Sequence, residues 1–255
     1  MDRPLILVTN DDGISAPGIR ALIDVVREIG DVVVVAPDGP QSGMGHAITL
    51  NSTLRCDQIH IDDGPQIEYE CSGTPVDCVK LAISTILERK PDLCVSGINH
   101  GSNSSINVIY SGTMSAAVEG ALEGIPSIGF SLLNYSHNAD FSASKRVVKT
   151  IVEKVLKKGL PKGRCLNVNI PKLPYSDFKG FKICRQADAN WVEDFDKRKD
   201  PTGRSYYWLT GSFQNFDKGN DTDEWALANG YVSVVPVQYD ITAYDCISEL
   251  KSWGL

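Results

Sequence analysis

Residues 5–15, with the sequence LILVTNDDGIS, decide how the chain begins to fold. The first four are apolar, which predicts a buried strand over residues 5–8. An Asn-Asp-Asp-Gly turn follows at residues 10–13, and a helical pattern then runs over residues 16–28. A strand, a polar turn and a helix in this order form the first half of a βαβ unit.

The same alternation continues through the first two thirds of the chain. Further strands are predicted at residues 32–36, 93–96, 127–131 and 165–170, and further helices at residues 77–87, 114–122 and 144–158. Apolar strands separated by helices are typical of a parallel sheet that is covered on both faces. The sequence therefore predicts an α/β fold with a doubly wound, Rossmann-like, mostly parallel sheet.

The pattern changes after Pro174. Charged and aromatic residues alternate on both sides of an Asp-Pro-Thr-Gly turn at residues 200–203, as in a long β-hairpin. Its aromatic residues Tyr206, Tyr207 and Trp208 either join subunits or cover the edge of the core, and we predict that they join subunits.

A short strand at residues 232–235 and a helix at residues 243–253 are predicted to close the chain. We divide the chain into a Rossmann-like catalytic core at residues 1–174 and a hairpin extension at residues 175–255, which together complete one domain.

Composition excludes several classes of protein. The net charge of −7 argues against wide contact with a nucleic-acid duplex, which needs clustered Lys and Arg. The seven cysteines are an odd number without a CxxC pair, which indicates reduced thiols in a cytoplasmic protein. No apolar stretch approaches the roughly 20 residues of a membrane-spanning helix.

Three polar loops follow predicted strands, at residues 10–13, 36–46 and 96–103. Ligands of open α/β sheets bind at the carboxyl ends of the strands, so these loops are expected to face one crevice. Asp11 and Asp12 repel each other unless a cation lies near them, although such residues also end strands and cap helices. Oxygen ligands from Asp, Ser and Asn suit Mg²⁺ or Mn²⁺.

Zinc is disfavoured because the four histidines form no cluster with ligand spacing. They are His46, His60, His100 and His137.

The segment YSGTMSAAVEGAL at residues 110–122 supplies a second element of the predicted site. Ser111, Gly112 and Thr113 begin a helix, where free backbone N–H groups and hydroxyls can hold an anion. An ordinary Ser or Thr N-cap is the alternative. Next to a metal crevice we predict phosphate binding.

Six segments in order, spanning roughly residues 5–171, resemble the SurE nucleotidases (survival protein E), a family of metal-dependent 5′-nucleotidases. These segments are ILVTNDDGISAPGI, APDGPQSGMGHAITL, SGTPVDCVKLA, PDLCVSGINHGSN, YSGTMSAAVEGALEGIPSIGFSL and LNVNIP. The resemblance implies hydrolysis of nucleoside 5′-monophosphates to nucleoside and phosphate, with 3′-monophosphates as further candidate substrates. It also implies a homodimer or homotetramer supported by the hairpin region at residues 178–219.

The resemblance implies one divalent cation per subunit, held by Asp11, Asp12, Ser42 and Asn99. The residues it implies near the phosphate are Asn10, Gly43, Asn103, Ser111, Gly112 and Thr113. Many family members read RNxSGxSxSLT where this chain has GPQSGMGHAIT at residues 39–49. The serine is kept but its neighbours differ, so His46 could do work here that another side chain does elsewhere.

The predicted catalytic residues are Asp11, Asp12, Asn10 and His46. In this hypothesis Asp11 or Asp12 orients or deprotonates a water that attacks the phosphate, and His46 is a candidate proton donor to the leaving group. Direct attack by Asp11 is the alternative.

Two other classes of protein compete with this interpretation. A nucleotide-cofactor oxidoreductase would need G-x-G-x-x-G after the first strand, where this chain has Asn-Asp-Asp-Gly. A non-catalytic sensor that binds metal and nucleotide stays open.

Overall fold

The computed structural model describes residues 3–136 and 138–254. Residues 1–2, His137 and residue 255 lie outside the described residues.

A nine-stranded sheet forms the centre of the molecule, in the order β3-β4-β2-β1-β5-β6-β7-β11-β8. The eleven strands are β1 (Leu5–Thr9), β2 (Asp31–Pro37), β3 (Cys56–Ile59), β4 (Ile67–Cys71), β5 (Leu93–His100), β6 (Ser127–Leu132), β7 (Arg164–Ile170), β8 (Phe181–Ile183), β9 (Ala189–Lys199), β10 (Ser205–Asn215) and β11 (Val232–Gln238). The six strands from β4 to β7 in the sheet order are mutually parallel, whereas β3 and β11 pair antiparallel to their inner neighbours. This topology confirms the predicted mostly parallel sheet.

Helices cover both faces of the sheet. The described helices are α1 (Pro17–Val26), α2 (Pro75–Leu81), α3 (Gly112–Leu122), α4 (Ser142–Lys158), α5 (Asp223–Ala228) and α6 (Ile247–Ser252). Of these, α6 buries none of its residues and does not belong to the covering layers. Alternate side chains of β1 point to opposite faces, so Ile6 and Val8 pack with α1 and α4 while Leu7 packs with α2 and α3. The sheet is therefore doubly wound, as predicted. Among the described residues, no helix has the length and apolar character needed to cross a membrane.

Three local predictions needed correction. The helix predicted at residues 77–87 begins earlier, at Pro75, because Thr74 and Asp77 form a reciprocal capping box. It ends at Leu81 and continues as a π-helical turn over Ala82–Ile86. The strand predicted at residues 93–96 continues to His100, so that Asn99 lies on a strand and not in a loop.

The third correction concerns β3 and β4, which the sequence did not reveal. Both lie near one edge of the sheet, and only two of their nine residues are buried, both in β4, without a run of apolar side chains. Short edge strands of this kind carry a weak hydrophobic signal.

The predicted hairpin is present as the antiparallel pair of β9 and β10, which forms a separate two-stranded sheet. Its turn is closed by the Gly203 amide, which donates to the Asp200 carbonyl at 2.9 Å. The register places Trp191, Glu193 and Leu209 on one face of the hairpin, whereas Trp208 lies on the opposite face.

Candidate active site

The three predicted loops meet at the carboxyl ends of β2, β1 and β5, which are neighbours in the sheet. The Gln41 amide donates to the Asp11 carbonyl at 2.7 Å, which ties the second loop to the first. The His100 amide donates to Asp12 Oδ2 at 3.2 Å, which ties β5 to the first loop. The structure thus brings together the segments that carry Asp11, Asp12, Ser42 and Asn99 at one edge of the sheet.

Asp11 is almost fully buried, with 4% of its surface exposed. The Thr113 hydroxyl donates to Asp11 Oδ1 at 2.5 Å, so the N-terminus of α3 faces the carboxylate. Burial raises the pKa of Asp11 to about 6, and repulsion from Asp12 adds to this effect although the hydrogen bonds from Thr113 oppose it. The charged form of Asp11 is therefore costly in the protein alone, and a cation beside it would relieve that cost.

Gly112 allows the close approach of α3 to Asp11. A Cβ atom on Gly112 would lie 2.7 Å from the Asp11 Cβ, closer than real Cβ contacts. Any side chain at residue 112 would therefore displace Asp11 or the first turn of α3.

Asp12 is more accessible than Asp11, with 19% of its side chain exposed. Its Oδ2 accepts from the His100 backbone and lies 3.3 Å from His100 Nδ1. The His100 ring packs edge-on against Phe141, with 5.2 Å between the ring centroids. His100 thus helps to fix the Asp12 carboxylate, a role that the sequence did not reveal.

The remaining polar groups fit an oxygen-liganded cation. Asn10 Nδ2 donates to the Gly13 carbonyl at 2.8 Å, but its buried Oδ1 has no hydrogen-bond partner among the described residues. Asn99 Nδ2 donates to the Gly101 carbonyl at 3.1 Å, which leaves its amide oxygen available as a ligand. Ser42 lies exposed on the second loop.

The described residues contain no group of three or more His, Cys, Asp or Glu that could hold a metal ion. The predicted ligand set would combine two carboxylates with a hydroxyl and an amide oxygen, and leave the other positions around the cation to water and substrate. Such a set of hard oxygen donors suits Mg²⁺ or Mn²⁺ and not zinc.

Of the predicted phosphate residues, Ser111, Gly112 and Thr113 lie where α3 begins, but the hydroxyls of Ser111 and Thr113 already have partners. Ser111 is the N-cap of α3, and its hydroxyl accepts from the Met114 amide at 3.0 Å, so the N-cap alternative is correct for this side chain. The Thr113 hydroxyl is used by Asp11.

Asn103 is buried behind this site. Its Nδ2 donates to Ser131 Oγ at 2.8 Å, and its backbone amide donates to Asn169 Oδ1 at the same distance. These contacts fix Asn103 between β6 and β7.

His46 lies apart from the two aspartates. Its Nε2 is 2.9 Å from Oε2 of the buried Glu119, and Lys80 donates to the other Glu119 oxygen. Burial alone would raise the pKa of Glu119, but the hydrogen bonds from His46 and Lys80 lower it. Glu119 follows Thr113 by six residues, about 9 Å along the axis of α3.

The segment that directly follows the second loop is held by α2. Asp77 accepts from the Thr49 amide at 3.0 Å and from the Thr49 hydroxyl at 2.6 Å, and the Thr74 hydroxyl donates to the Ala47 carbonyl. This second use of Asp77 and Thr74 as an anchor depends on the tertiary fold.

The fold and the site together define an α/β protein whose acidic, oxygen-rich crevice faces a helix N-terminus at the carboxyl edge of a parallel sheet. The sequence profile described as "Survival protein SurE" matches residues 6–193. The chain therefore belongs to the SurE family.

Individual relatives agree over almost the whole chain. A protein named 5′-nucleotidase SurE from Christiangramia forsetii is 67% identical over 254 residues, covering 99% of this chain and 98% of that protein. A protein with the same name from Flavobacterium psychrophilum is 68% identical over 255 residues, covering 100% of this chain and 99% of that protein. The crystal structure of the SurE protein from Aquifex aeolicus has a TM-score of 0.85 and 42% identity, and covers 99% of this chain and 100% of that chain.

Proposed function

We propose that this protein is a 5′-nucleotidase that hydrolyses nucleoside 5′-monophosphates to nucleoside and inorganic phosphate with the help of a divalent cation. The observation that carries the proposal is the buried Asp11 beside Asp12, at a helix N-terminus that attracts anions. Relatives at 67% and 68% identity bear the name of this activity. 3′-Monophosphates are further candidate substrates.

One Mg²⁺ or Mn²⁺ per subunit would be held by Asp11, Asp12, Ser42 and Asn99. Two adjacent carboxylates, a hydroxyl and a free amide oxygen match the preference of these ions for hard oxygen ligands. When bound, the cation would neutralise the negative charge that develops on the phosphate.

The residues of the chain would position the phosphate and the attacking water. The start of α3, at Ser111, Gly112 and Thr113, would face the phosphate, and Asn10, Gly43 and Asn103 would lie near it. Asp11 or Asp12 would orient the attacking water or take a proton from it. His46 is hydrogen-bonded to Glu119. We therefore propose that His46 holds the second loop in place and does not donate a proton to the leaving group.

The activity is tested by release of inorganic phosphate from AMP and GMP after chelation, with Mg²⁺ or Mn²⁺ added back. We expect release only with metal. The Asp11→Asn variant should lose it, whereas Asp24→Asn, a surface carboxylate on α1 that pairs with Arg27 and Lys145, should keep it. Metal-dependent nucleotide binding without phosphate release would instead establish the non-catalytic sensor.

AMP with a radiolabelled phosphate distinguishes attack by water from attack by Asp11. In an acid-quenched single turnover we expect no label on the protein. Acid-stable label on Asp11 that hydroxylamine removes would establish an aspartyl-phosphate and contradict water attack.

The hairpin region at residues 178–219 is proposed to join subunits of a homodimer or homotetramer in the cytoplasm, with residues 1–174 and 175–255 forming one domain. On one face of the hairpin, Val192, Tyr206 and Trp208 are 54%, 41% and 59% exposed, an apolar surface suited to a second copy. Light scattering should give a multiple of the 27.8 kDa chain. The Tyr206→Ser, Trp208→Ser variant should shift the mass towards the monomer, and an unchanged mass would contradict this interface.

A further inference from the structure

A cavity of about 610 Å³ opens beside the loop of Ser42. Its lining includes Gly43, Asn107, Tyr110, Trp191, Glu193 and Leu209. One wall comes from the core and the other from the hairpin.

The cavity adjoins the proposed phosphate site on two sides. Gly43 directly follows Ser42, and Tyr110 directly precedes Ser111. The Gly45 amide donates to the Tyr110 carbonyl at 3.1 Å, which holds these two segments together. A nucleoside whose phosphate lies at the start of α3 therefore has this cavity within reach of its sugar and base.

Trp191 presents a fixed aromatic surface in the cavity. Its Nε1 donates to Asn107 Oδ1 at 2.8 Å, and its ring makes a T-shaped contact with Phe213 at 5.6 Å between centroids. The side chain nevertheless remains 40% exposed. A Trp ring that is held by its neighbours and still accessible is suited to stacking with a planar ligand.

Two polar groups can fix the edge of such a ligand. The Glu193 carboxylate accepts hydrogen bonds, and it lies two residues from Trp191 on the same face of β9. Asn107 uses its amide oxygen for Trp191, so its amide N–H groups remain as donors. An apolar cavity with a few directed polar groups is typical of small-molecule sites.

We propose that this cavity, the base cavity, binds the nucleobase of the substrate stacked on the Trp191 indole, with Glu193 and Asn107 bonded to the edge of the base. The inference rests on the proposed function, because it assumes that a nucleoside monophosphate occupies the phosphate site. Purines are favoured over pyrimidines, since their two fused rings cover more of the indole.

The test compares Trp191→Leu with Trp253→Leu, a matched substitution at an exposed residue of the C-terminal segment. We expect the KM for AMP to rise about tenfold in Trp191→Leu, the lower range of measured base stacking, with kcat little changed. The Trp253→Leu variant should keep the wild-type KM. Trp191→Phe retains an aromatic ring, so its KM for AMP should lie between those of Trp191→Leu and Trp253→Leu.

Direct binding of adenosine, measured by calorimetry, separates failure of this inference from failure of the proposed function. We expect wild-type protein to bind adenosine more tightly than uridine, and Trp191→Leu to lose that difference. Adenosine binding without phosphate release from AMP would overturn the proposed activity and leave the base cavity standing. Phosphate release with equal KM values in wild type and Trp191→Leu would overturn the base cavity.

A second copy of the chain is the competing occupant. A change of oligomeric mass in Trp191→Leu, with adenosine affinity unchanged, would assign the cavity to subunit contact and contradict nucleobase binding.

Discussion

Replacing Gly112 by Ala should damage the site without adding any new chemical group. The added Cβ would lie 2.7 Å from the Asp11 Cβ and 3.0 Å from Asp11 Oδ2, so either the carboxylate or the first turn of α3 must move. Overpacking of this kind costs about 1–3 kcal/mol. For a chain of this size, this corresponds to a fall in Tm of roughly 2–4 °C per kcal/mol.

The effect on function should be larger than the effect on stability. A displacement of about 1 Å in a catalytic group can lower the rate about a hundredfold, and the hydrogen bond from Thr113 would be strained by the same movement. We therefore expect metal-dependent phosphate release to fall about a hundredfold at a temperature where the variant is fully folded.

Gly39→Ala provides the matched control, because a Cβ on Gly39 meets nothing within 4 Å. Both variants would be compared by Mn²⁺ calorimetry, thermal unfolding and phosphate release from AMP. If Gly112→Ala binds Mn²⁺ and turns over AMP as Gly39→Ala does, the placement of Asp11 against α3 is not what the site depends on, and the reasoning is refuted.

Three further predictions follow from single contacts. Because the pKa of Asp11 is raised to about 6, its contribution to the free energy of unfolding of the metal-free protein should fall as pH rises from 3.8 to about 6. The free energy of unfolding of Asp11→Asn minus that of wild type, measured in urea, should therefore grow over that range, and a constant difference would contradict the raised pKa. The Mn²⁺ affinity of wild type should rise over the same range, as followed by calorimetry. Asp77→Ala removes the two hydrogen bonds from Thr49 and the cap of α2. It should lower the free energy of unfolding by about 3 kcal/mol, measured by urea unfolding at neutral pH. An unchanged urea midpoint would contradict the anchoring role. Gly18→Ala places a Cβ 1.9 Å from the Ile98 carbonyl oxygen and should cost about 3 kcal/mol, so a Tm equal to that of wild type would show that α1 and β5 are not packed so closely.

The parts of the fold that were predictable are those whose signal is local. The apolar run before Asn10 gave β1, and the turn at residues 200–203 between alternating segments gave the hairpin. In both cases neighbouring residues alone determine the backbone conformation. Strands β3 and β4 were missed because they are short and carry few buried apolar residues.

The same distinction applies to the site. Asp11 and Asp12 stand out in the sequence because adjacent carboxylates at a strand end are costly without a cation. The pairing of His46 with Glu119 and of His100 with Asp12 could not be predicted, because each contact joins segments that only the sheet order brings together. Asn99 was placed in a loop because a glycine and polar residues interrupt the apolar run, whereas β5 continues through them.

The central claim is that Asp11 and Asp12 hold a divalent cation. Crystals grown with Mn²⁺ and measured near the manganese absorption edge test it most directly. We predict one anomalous peak per chain, in contact with carboxylate oxygens of Asp11 and Asp12 and next to Ser42 and Asn99. A map with no peak at these aspartates, or with the manganese only beside Glu119 and His46, would contradict the account.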